Sequence, residues 1–129
     1  MIAANDVSHA PGLRMTVVAT VRNERQTIAA FLDSLLDQSH RPDEIVIVDG
    51  VSTDGTLEIL QIYSARHGVR VISQPCNIAR GRNLGIAEAK ASHITVTDAG
   101  CKVDPDWLKE LASCFSNNPG VDVVAGNFR

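Results

Sequence analysis

Short β-branched runs recur along this chain at regular intervals, and this recurrence restricts the fold more than any other feature. Strand-like runs are predicted over residues 15–21, 44–48, 69–73, 93–97 and 121–125. Continuous apolar runs of this length are typical of strands that are buried on both faces of a parallel sheet. With only 4% aromatic residues, the core must be built mainly from aliphatic side chains.

Helical patterns separate these runs. Apolar residues at offsets of three and four, the spacing of one helix face, mark helices within residues 28–36 and 57–63. An alanine-rich helix is predicted over 79–91, and a fourth helix begins at Asp104 as its N-cap, with Pro105 in the first helical position. Strands that alternate with helices of this size form right-handed βαβ units. The sequence therefore predicts an α/β fold with a mostly parallel sheet flanked by helices.

Length and charge limit the domain organisation and the partners. The 129 residues fit one domain over 15–129, and residues 1–14 lack periodicity, which predicts a flexible leader. A net charge of -3 argues against a nucleic-acid partner. No apolar run reaches the roughly 18 residues that span a bilayer, and the first residues show no basic region followed by an apolar stretch, so we expect no secretory signal. We therefore predict a cytoplasmic protein with at most peripheral membrane association; three cysteines without a C-x-x-C pair also suit a reducing compartment.

Ligands of parallel α/β sheets bind beyond the carboxyl ends of the strands, so the residues after each predicted strand are the candidates for a site. Asp49 and Asp98 each close an apolar run, where a carboxylate needs hydrogen-bond partners or water. Asp49 could accept a hydrogen bond from a ribose hydroxyl or a base N–H, and Asp98 could hold a cation or a sugar hydroxyl. Arg80 and Arg82, near the start of a predicted helix, would suit a diphosphate.

Each of these candidates also has a purely structural interpretation. Asn23 could cap the first helix with Glu24 in its first turn, and Asp54 could cap the second. Asp104 and Asp106 have the spacing of metal ligands, but a helix cap and first turn explain both. The arginine pair could be a solvated helix start. Neither G-x-G-x-x-G nor G-x-x-x-x-G-K-[ST] occurs, which weakens the usual dinucleotide and P-loop interpretations.

The order of the motifs is more specific than any one of them. A strand ending in N-E is followed by S-L-L-D-Q-S, E-I-V-I-V-D-G-V-S-T-D-G-T, A-R-G-R-N-L-G-I-A-E-A and T-D-A-G-C-K-V-D-P-D-W-L. In this order, the chain from about residue 15 to its end resembles the inverting glycosyltransferases of family 2. The resemblance implies the GT-A fold, a Rossmann-like sheet that binds a nucleotide-diphosphate sugar. It also implies transfer of the sugar to an acceptor hydroxyl with inversion, and identifies residues 15–129 as the donor-binding half.

The resemblance assigns six residues to the nucleotide-sugar site. Three of them would line the base and ribose pocket, one begins the family's D-D-G-S element, one lies near the diphosphate and sugar, and one begins the D-x-D motif that holds the metal. In that order they are Thr20, Arg22 and Glu24, then Asp49, Arg82 and Asp98.

Two glycines depart from the family pattern. Gly50 replaces the second aspartate of D-D-G-S, and Gly100 replaces the last aspartate of D-x-D, the usual direct metal ligand. In such enzymes a divalent cation neutralises charge on the leaving diphosphate. We therefore expect an Mg²⁺ or Mn²⁺ site at Asp98 that is weakened by Gly100. Two alternatives stay open: Arg80 and Arg82 take over part of the charge stabilisation, or metal binding is absent.

The catalytic residues are left unassigned, because the resembling enzymes are considerably longer and carry the acceptor site and the general base in their later half. An alternative function follows from this difference, a truncated or degenerate non-catalytic module that binds a nucleotide or takes part in assembly. The last predicted strand would then expose a sheet edge through which a homo-oligomer could form.

Overall fold

A computed structural model of the protein describes residues 13–100, 102–118 and 120, and it confirms the predicted α/β class. Four strands alternate with four helices of 9 to 12 residues. No helix in these ranges is long and apolar enough to cross a membrane. Most of the predicted leader and the predicted strand at 121–125 lie outside the described residues. In chain order the elements are β1 (Met15–Val21), α1 (Ile28–Leu36), β2 (Glu44–Asp49), α2 (Thr56–His67), β3 (Arg70–Ser73), α3 (Ile78–Glu88), β4 (His93–Asp98) and α4 (Trp107–Asn117).

The sheet is fully parallel, with strand order β3-β2-β1-β4. The chain moves outward from β1 to β3 and then crosses back, through α3, to the other side of β1. This reversal makes the carboxyl ends of β1 and β4 the topological switch point, where open α/β sheets bind their ligands. The register sets Thr20 of β1 opposite Asp98 of β4, and Val21 opposite Asp49 of β2. Both predicted aspartates therefore lie at the same edge of the sheet as the end of β1.

The main core lies between one face of the sheet and helices α1, α2 and α4. Alternate residues of β1 point into it, and each helix contributes the apolar stripe that its spacing predicts. Leu13, within the predicted leader, is only 7% exposed and belongs to this core. Fully burying one such side chain stabilises the fold by about 1.5–3 kcal/mol. The largest fully buried side chains include Phe31, Met15, Ile28, Leu32, Leu35, Ile47, Leu60 and Leu108.

Helix α3 covers the opposite face of the sheet, and two glycines bring it close. A Cβ atom built on Gly81 would lie 2.5 Å from Thr20 Cγ2, and one built on Gly85 would overlap Val18 Cγ1. The G-x-x-x-G spacing puts both glycines on the face of α3 that meets β1. The absence of side chains at these two positions therefore sets the distance between helix and sheet.

Element boundaries differ from the prediction by a few residues. Asp49 and Asp98 are the last residues of their strands, and α3 ends three residues earlier than predicted. Helix α4 begins at Trp107 with Asp106 at the N-cap, so Asp104 is not its cap. A turn precedes the helix instead, because the Asp104 carbonyl accepts from Trp107 N (3.0 Å) and its carboxylate accepts from Asp106 N (2.9 Å).

Candidate functional site

The carboxyl edge of the sheet brings together five of the six residues that the sequence singles out. They lie at the ends of β1, β2 and β4 or just after β1, and the sixth lies in the second turn of α3, whose amino-terminal end opens onto the same edge. The five are Thr20, Arg22, Glu24, Asp49 and Asp98, and the sixth is Arg82.

Asp49 is completely buried and fully hydrogen-bonded. Its Oδ2 accepts from Ser52 N (3.1 Å) and from Ser73 Oγ (3.0 Å), and its Oδ1 accepts from Ser52 Oγ (2.5 Å). Burial of a carboxylate is unfavourable unless such charge-assisted bonds compensate for the lost water. Asp49 therefore fixes the start of the β2–α2 loop and joins it to the end of β3.

The β1–α1 and β2–α2 loops are held together by a set of hydrogen bonds, here called the loop clamp (residues 23–25 and 52–56). Three consecutive backbone N–H groups of the first loop donate to side chains of the second. Asn23 N donates to Ser52 Oγ (2.9 Å), Glu24 N to Thr56 Oγ1 (2.9 Å) and Arg25 N to Asp54 Oδ2 (3.2 Å). In return, Thr53 N donates to the Asn23 side chain (2.8 Å). Through Ser52, the buried Asp49 is part of the same network.

Asn23 does not cap α1, so that structural interpretation is wrong. Thr27 occupies the N-cap, and Asn23 has left-handed backbone geometry (φ 53°) with its side chain in the loop clamp. Glu24 prepares the helix start, because its carbonyl accepts from Thr27 N (3.0 Å) and Ile28 N (2.8 Å). Its carboxylate also accepts from Thr27 Oγ1 (3.0 Å). An asparagine tolerates the left-handed region better than most residues, which suits it to this loop.

Asp54 organises the start of α2 from one residue before the N-cap, which is Gly55 in left-handed geometry (φ 102°). The Asp54 carboxylate accepts from Thr56 N (3.0 Å) and from the Thr56 hydroxyl (2.5 Å). The bond from the Thr56 hydroxyl is the main reason why the pKa of Asp54 is lowered from its ordinary value of 3.8. Asp54 thus serves the start of α2, as predicted, although Gly55 occupies the cap position.

Val51 is strained. Its φ of +63° lies in the left-handed region, which a β-branched residue rarely adopts, and its side chain is 42% exposed. The hydrogen bonds from Ser52 N and Ser52 Oγ to Asp49 close the turn in which Val51 lies. The network around Asp49 therefore holds Val51 in this geometry.

Substituting Val51 with glycine is expected to raise the free energy of unfolding by about 1 kcal/mol. Left-handed geometry costs an L-residue about 1–2 kcal/mol, and the extra flexibility of glycine in the unfolded chain offsets part of the gain. Urea denaturation measures the change. V51A, which keeps the Cβ atom, is the control and should gain clearly less. A V51G protein that is less stable than the unsubstituted one would contradict the strain.

Arg82 and Asp98 form an ion pair at the switch point. The Arg82 Nη2 atom lies 3.4 Å from Asp98 Oδ1, and the side chains are 42% and 73% exposed. At this exposure an ion pair contributes about 0–1 kcal/mol to stability. The pair therefore does little for the fold, and its main effect is to set the direction of a guanidinium group beside the end of β4.

The two arginines of α3 lie on different flanks of the helix. At 100° per residue, Arg80 and Arg82 point about 200° apart around the helix axis. Arg82 lies on the flank that contacts β4 through Asp98, and the separation of about 200° puts Arg80 on the flank away from it. The structure therefore does not bring together the two arginines that the sequence suggested as one anion site.

Thr20 and Gly50 lie beneath the loops. The Thr20 side chain packs under α3 against Gly81, and its Oγ1 is buried without a hydrogen-bond partner among the described residues. A Cβ atom on Gly50 would lie 3.3 Å from the Cys76 carbonyl oxygen and 3.7 Å from Arg22 Cβ. An aspartate at position 50 would therefore need its neighbours to move.

Comparison with known proteins identifies the family. Residues 16–129 match the model described as Glycosyl transferase family 2. This chain belongs to glycosyl transferase family 2. The predicted resemblance is thereby confirmed, including the Rossmann-like GT-A fold, because the structure is similar to TarS of S. aureus with a TM-score of 0.71 and 25% identity.

The relatives in family 2 are longer than this chain. It is 35% identical over 117 residues to the putative glycosyltransferase EpsE of Bacillus subtilis (88% of this chain, 42% of EpsE). It is 28% identical over 109 residues to poly-β-1,6-N-acetyl-D-glucosamine synthase of Staphylococcus epidermidis (83% of this chain, 26% of the synthase). The match to TarS covers 81% of this chain and 20% of TarS, and TarS 1-349 has been solved with UDP and with UDP-GlcNAc.

The metal site expected from the family does not fit the residues present. Mg²⁺ and Mn²⁺ prefer several oxygen ligands. Asp98 supplies one carboxylate, which already faces Arg82, and Gly100 supplies no side chain. Within residues 13–100, 102–118 and 120, no three His, Cys, Asp or Glu residues come together to form a metal site.

Sequence reasoning overlooked the hydroxyl groups of this edge. The hydroxyl groups of Ser52 and Ser73 donate to Asp49, and that of Thr56 donates to Asp54. The hydroxyl groups of Ser52 and Thr56 also accept from the backbone of the β1–α1 loop. A local signal for two of them is the S-T-D-G-T run, because serine, threonine and aspartate side chains readily bond to nearby backbone groups. The bond from Ser73 has no such signal, since its partner is 24 residues away.

Proposed function

We propose that this chain is the donor-binding portion of an inverting glycosyltransferase. It would bind a nucleotide-diphosphate sugar at the carboxyl edge of β1 and β4, and the complete enzyme would transfer the sugar to an acceptor hydroxyl. The observation that carries this proposal is the Arg82–Asp98 pair at the switch point of a family 2 fold. Ligands of open α/β sheets bind at such a point, and a guanidinium group there suits a diphosphate.

In this proposal the loop clamp forms the nucleoside pocket. Arg22 and Glu24 follow β1 and would line the base and ribose. Thr20, near the end of β1, would lie beneath them, where it packs against Gly81 of α3. Asp49 is buried under its serine partners, so we assign it to the floor of this pocket, where it holds the loop that faces the nucleoside. Arg82 would face the diphosphate, and Asp98 would lie beside the sugar.

The chemistry is a direct displacement at the anomeric carbon. The acceptor oxygen forms the new bond as the bond from carbon to the diphosphate oxygen breaks, and a general base removes the acceptor proton. We assign no general base within residues 15–129. The residues named above would bind the donor, orient its anomeric carbon and counter the negative charge that grows on the leaving diphosphate.

Titration calorimetry with UDP, UDP-GlcNAc and GDP tests the proposal, with ADP as a comparison nucleotide. UDP-GlcNAc is a suitable first donor because TarS has been solved with it and the staphylococcal synthase is named for a polymer of N-acetyl-D-glucosamine. We expect saturable binding of at least one of the nucleotides or the nucleotide sugar. Failure of all of them to bind would overturn the proposal.

The same samples distinguish the proposal from the alternative, a non-catalytic nucleotide-binding module. Incubation with UDP-GlcNAc and analysis of the products by chromatography would show whether UDP is released. Release of UDP from UDP-GlcNAc, either alone or with an acceptor sugar, would exclude the non-catalytic module. This alternative is kept because the chain spans only 26% of the synthase and 42% of EpsE.

A further inference from the structure

We propose that Arg82, oriented by Asp98, supplies the positive charge that faces the donor diphosphate, and that nucleotide binding by this chain does not depend on a divalent cation. The inference rests on the proposed function and concerns how that same site balances charge. It starts from the disagreement between the family's metal site and the residues present, since Gly100 stands where the second carboxylate of the D-x-D motif would be.

The guanidinium group of Arg82 is held by two rigid elements. Gly81 and Gly85 pack α3 directly onto β1, which fixes the position of the helix turn that carries Arg82. Asp98 is the last residue of β4 and lies in register with Thr20. Charged groups supported by regular elements are placed more accurately than groups on loops. The ion pair therefore connects a fixed donor to a fixed acceptor at the switch point.

Arg82 keeps hydrogen-bonding capacity for a ligand. A guanidinium group carries five N–H donors, and in the described part of the chain Arg82 uses one of them, in a contact of Nη2 with Asp98 Oδ1 at 3.4 Å. Its side chain is 42% exposed, so the remaining donors can reach a group that enters from the carboxyl edge. Arginine forks match phosphate oxygens and form strong charge-assisted bonds.

The local charge also differs from that of a two-carboxylate metal site. Two neighbouring carboxylates attract a cation and would repel a diphosphate without one. Here the D-x-D position supplies one carboxylate, Asp98, which faces Arg82, and Gly50 does not add a second carboxylate beside Asp49. A diphosphate can therefore approach this edge of the sheet even when no cation neutralises the carboxylate charge of the protein.

The decisive experiment measures UDP affinity by calorimetry on the full chain, first in EDTA and then in excess Mn²⁺ or Mg²⁺. We expect UDP to bind in EDTA, with an affinity that changes by less than about threefold when either metal is added. Binding that needs Mn²⁺ or Mg²⁺ would overturn the inference while leaving the proposed function intact. Failure of UDP, UDP-GlcNAc and GDP to bind under every condition would instead overturn the proposed function.

Arg80 provides a matched control, because it is an exposed arginine of the same helix on the other flank. R82Q is expected to weaken UDP binding at least about tenfold, whereas R80Q should change it less than about twofold. Uridine, whose weak binding is followed by saturation-transfer NMR, should bind all three proteins equally, because it has no phosphate. Equal UDP affinities of R82Q and R80Q would overturn the role of Arg82.

Two further variants separate charge from metal coordination. R82K keeps the positive charge and should recover part of the UDP affinity that R82Q loses. D98N removes the negative charge but keeps a side-chain oxygen that can accept from Arg82, so the UDP affinity measured in EDTA should stay within about threefold. A large Mn²⁺ enhancement in the unsubstituted chain that D98N abolishes would show that Asp98 holds a metal, and would overturn the inference.

Discussion

G85A should lower the free energy of unfolding by about 2 kcal/mol, although alanine is the better helix former. The Cβ atom of alanine would overlap Val18 Cγ1 and come within 3.5 Å of Val48 Cγ2. Val18 is fully buried in the central strand, and its branched side chain has little rotamer freedom in which to move away. Overpacking of this kind costs about 1–3 kcal/mol, and the overlap with an immobile neighbour favours the upper end. The gain in helix propensity, about 1 kcal/mol, offsets only part of it.

Urea denaturation measures the effect, and Gly100 supplies the control. Among the described residues, nothing other than the chain neighbours of Gly100 lies within 4 Å of a Cβ atom built on it, and its φ is not positive. G100A should therefore change the free energy of unfolding by less than about 0.5 kcal/mol. If G85A proved as stable as G100A, α3 would be free to move off β1, and its packing on β1 would not fix the position of Arg82.

The strands were predictable from the sequence to within one residue at each end. Strands β1 and β2 are buried, β3 and β4 pair with them in parallel, and all four carry short apolar or β-branched runs that favour a strand. The positions of Asp49 and Asp98 at one edge followed from the rule that parallel strands end on the same side. What the rule could not give is the environment of each carboxylate, buried among serines for Asp49 and exposed beside Arg82 for Asp98.

The loops were predicted less well because their bonds join distant parts of the chain. Asn23 has the side chain of a helix cap, and only its partner Thr53, thirty residues away, shows that it serves the loop clamp. The left-handed geometry of Val51 also cannot be predicted from its neighbours in the sequence. Valine favours extended backbone, and the turn is imposed by the buried Asp49.

The separation of the two arginines, by contrast, followed from geometry that a sequence already contains. Residues two apart on a helix point in nearly opposite directions. Gly81 stands between Arg80 and Arg82, and it faces the sheet. Once the glycine face is known, Arg82 and Arg80 must lie on opposite flanks of α3. The structure adds which flank meets β4, and this choice makes Arg82 part of the site.

D49A is expected to have the largest effect of the substitutions considered, a loss of about 3 kcal/mol in the free energy of unfolding. The change removes a fully buried carboxylate that accepts three hydrogen bonds, from Ser52 N, Ser52 Oγ and the more exposed Ser73 Oγ. Hydrogen bonds to charged groups contribute about 1.5–3 kcal/mol each, and water that enters the space of the lost side chain recovers part of this. S73A removes only one of the three bonds and should cost about 1 kcal/mol.

Hydrogen exchange and UDP binding then distinguish a structural aspartate from one that touches the ligand. In D49A the amide protons of Asn23 and Ser52 should exchange faster, because Ser52 N loses its acceptor and Ser52 Oγ, which accepts from Asn23 N, loses the partner that orients it. In S73A they should be unchanged. If D49N kept both the stability and the slow exchange of the unsubstituted chain yet lost UDP binding, Asp49 would be a direct nucleoside ligand. The expected result is that stability, exchange protection and UDP affinity fall together in D49A, because the pocket depends on the loop that Asp49 holds in place.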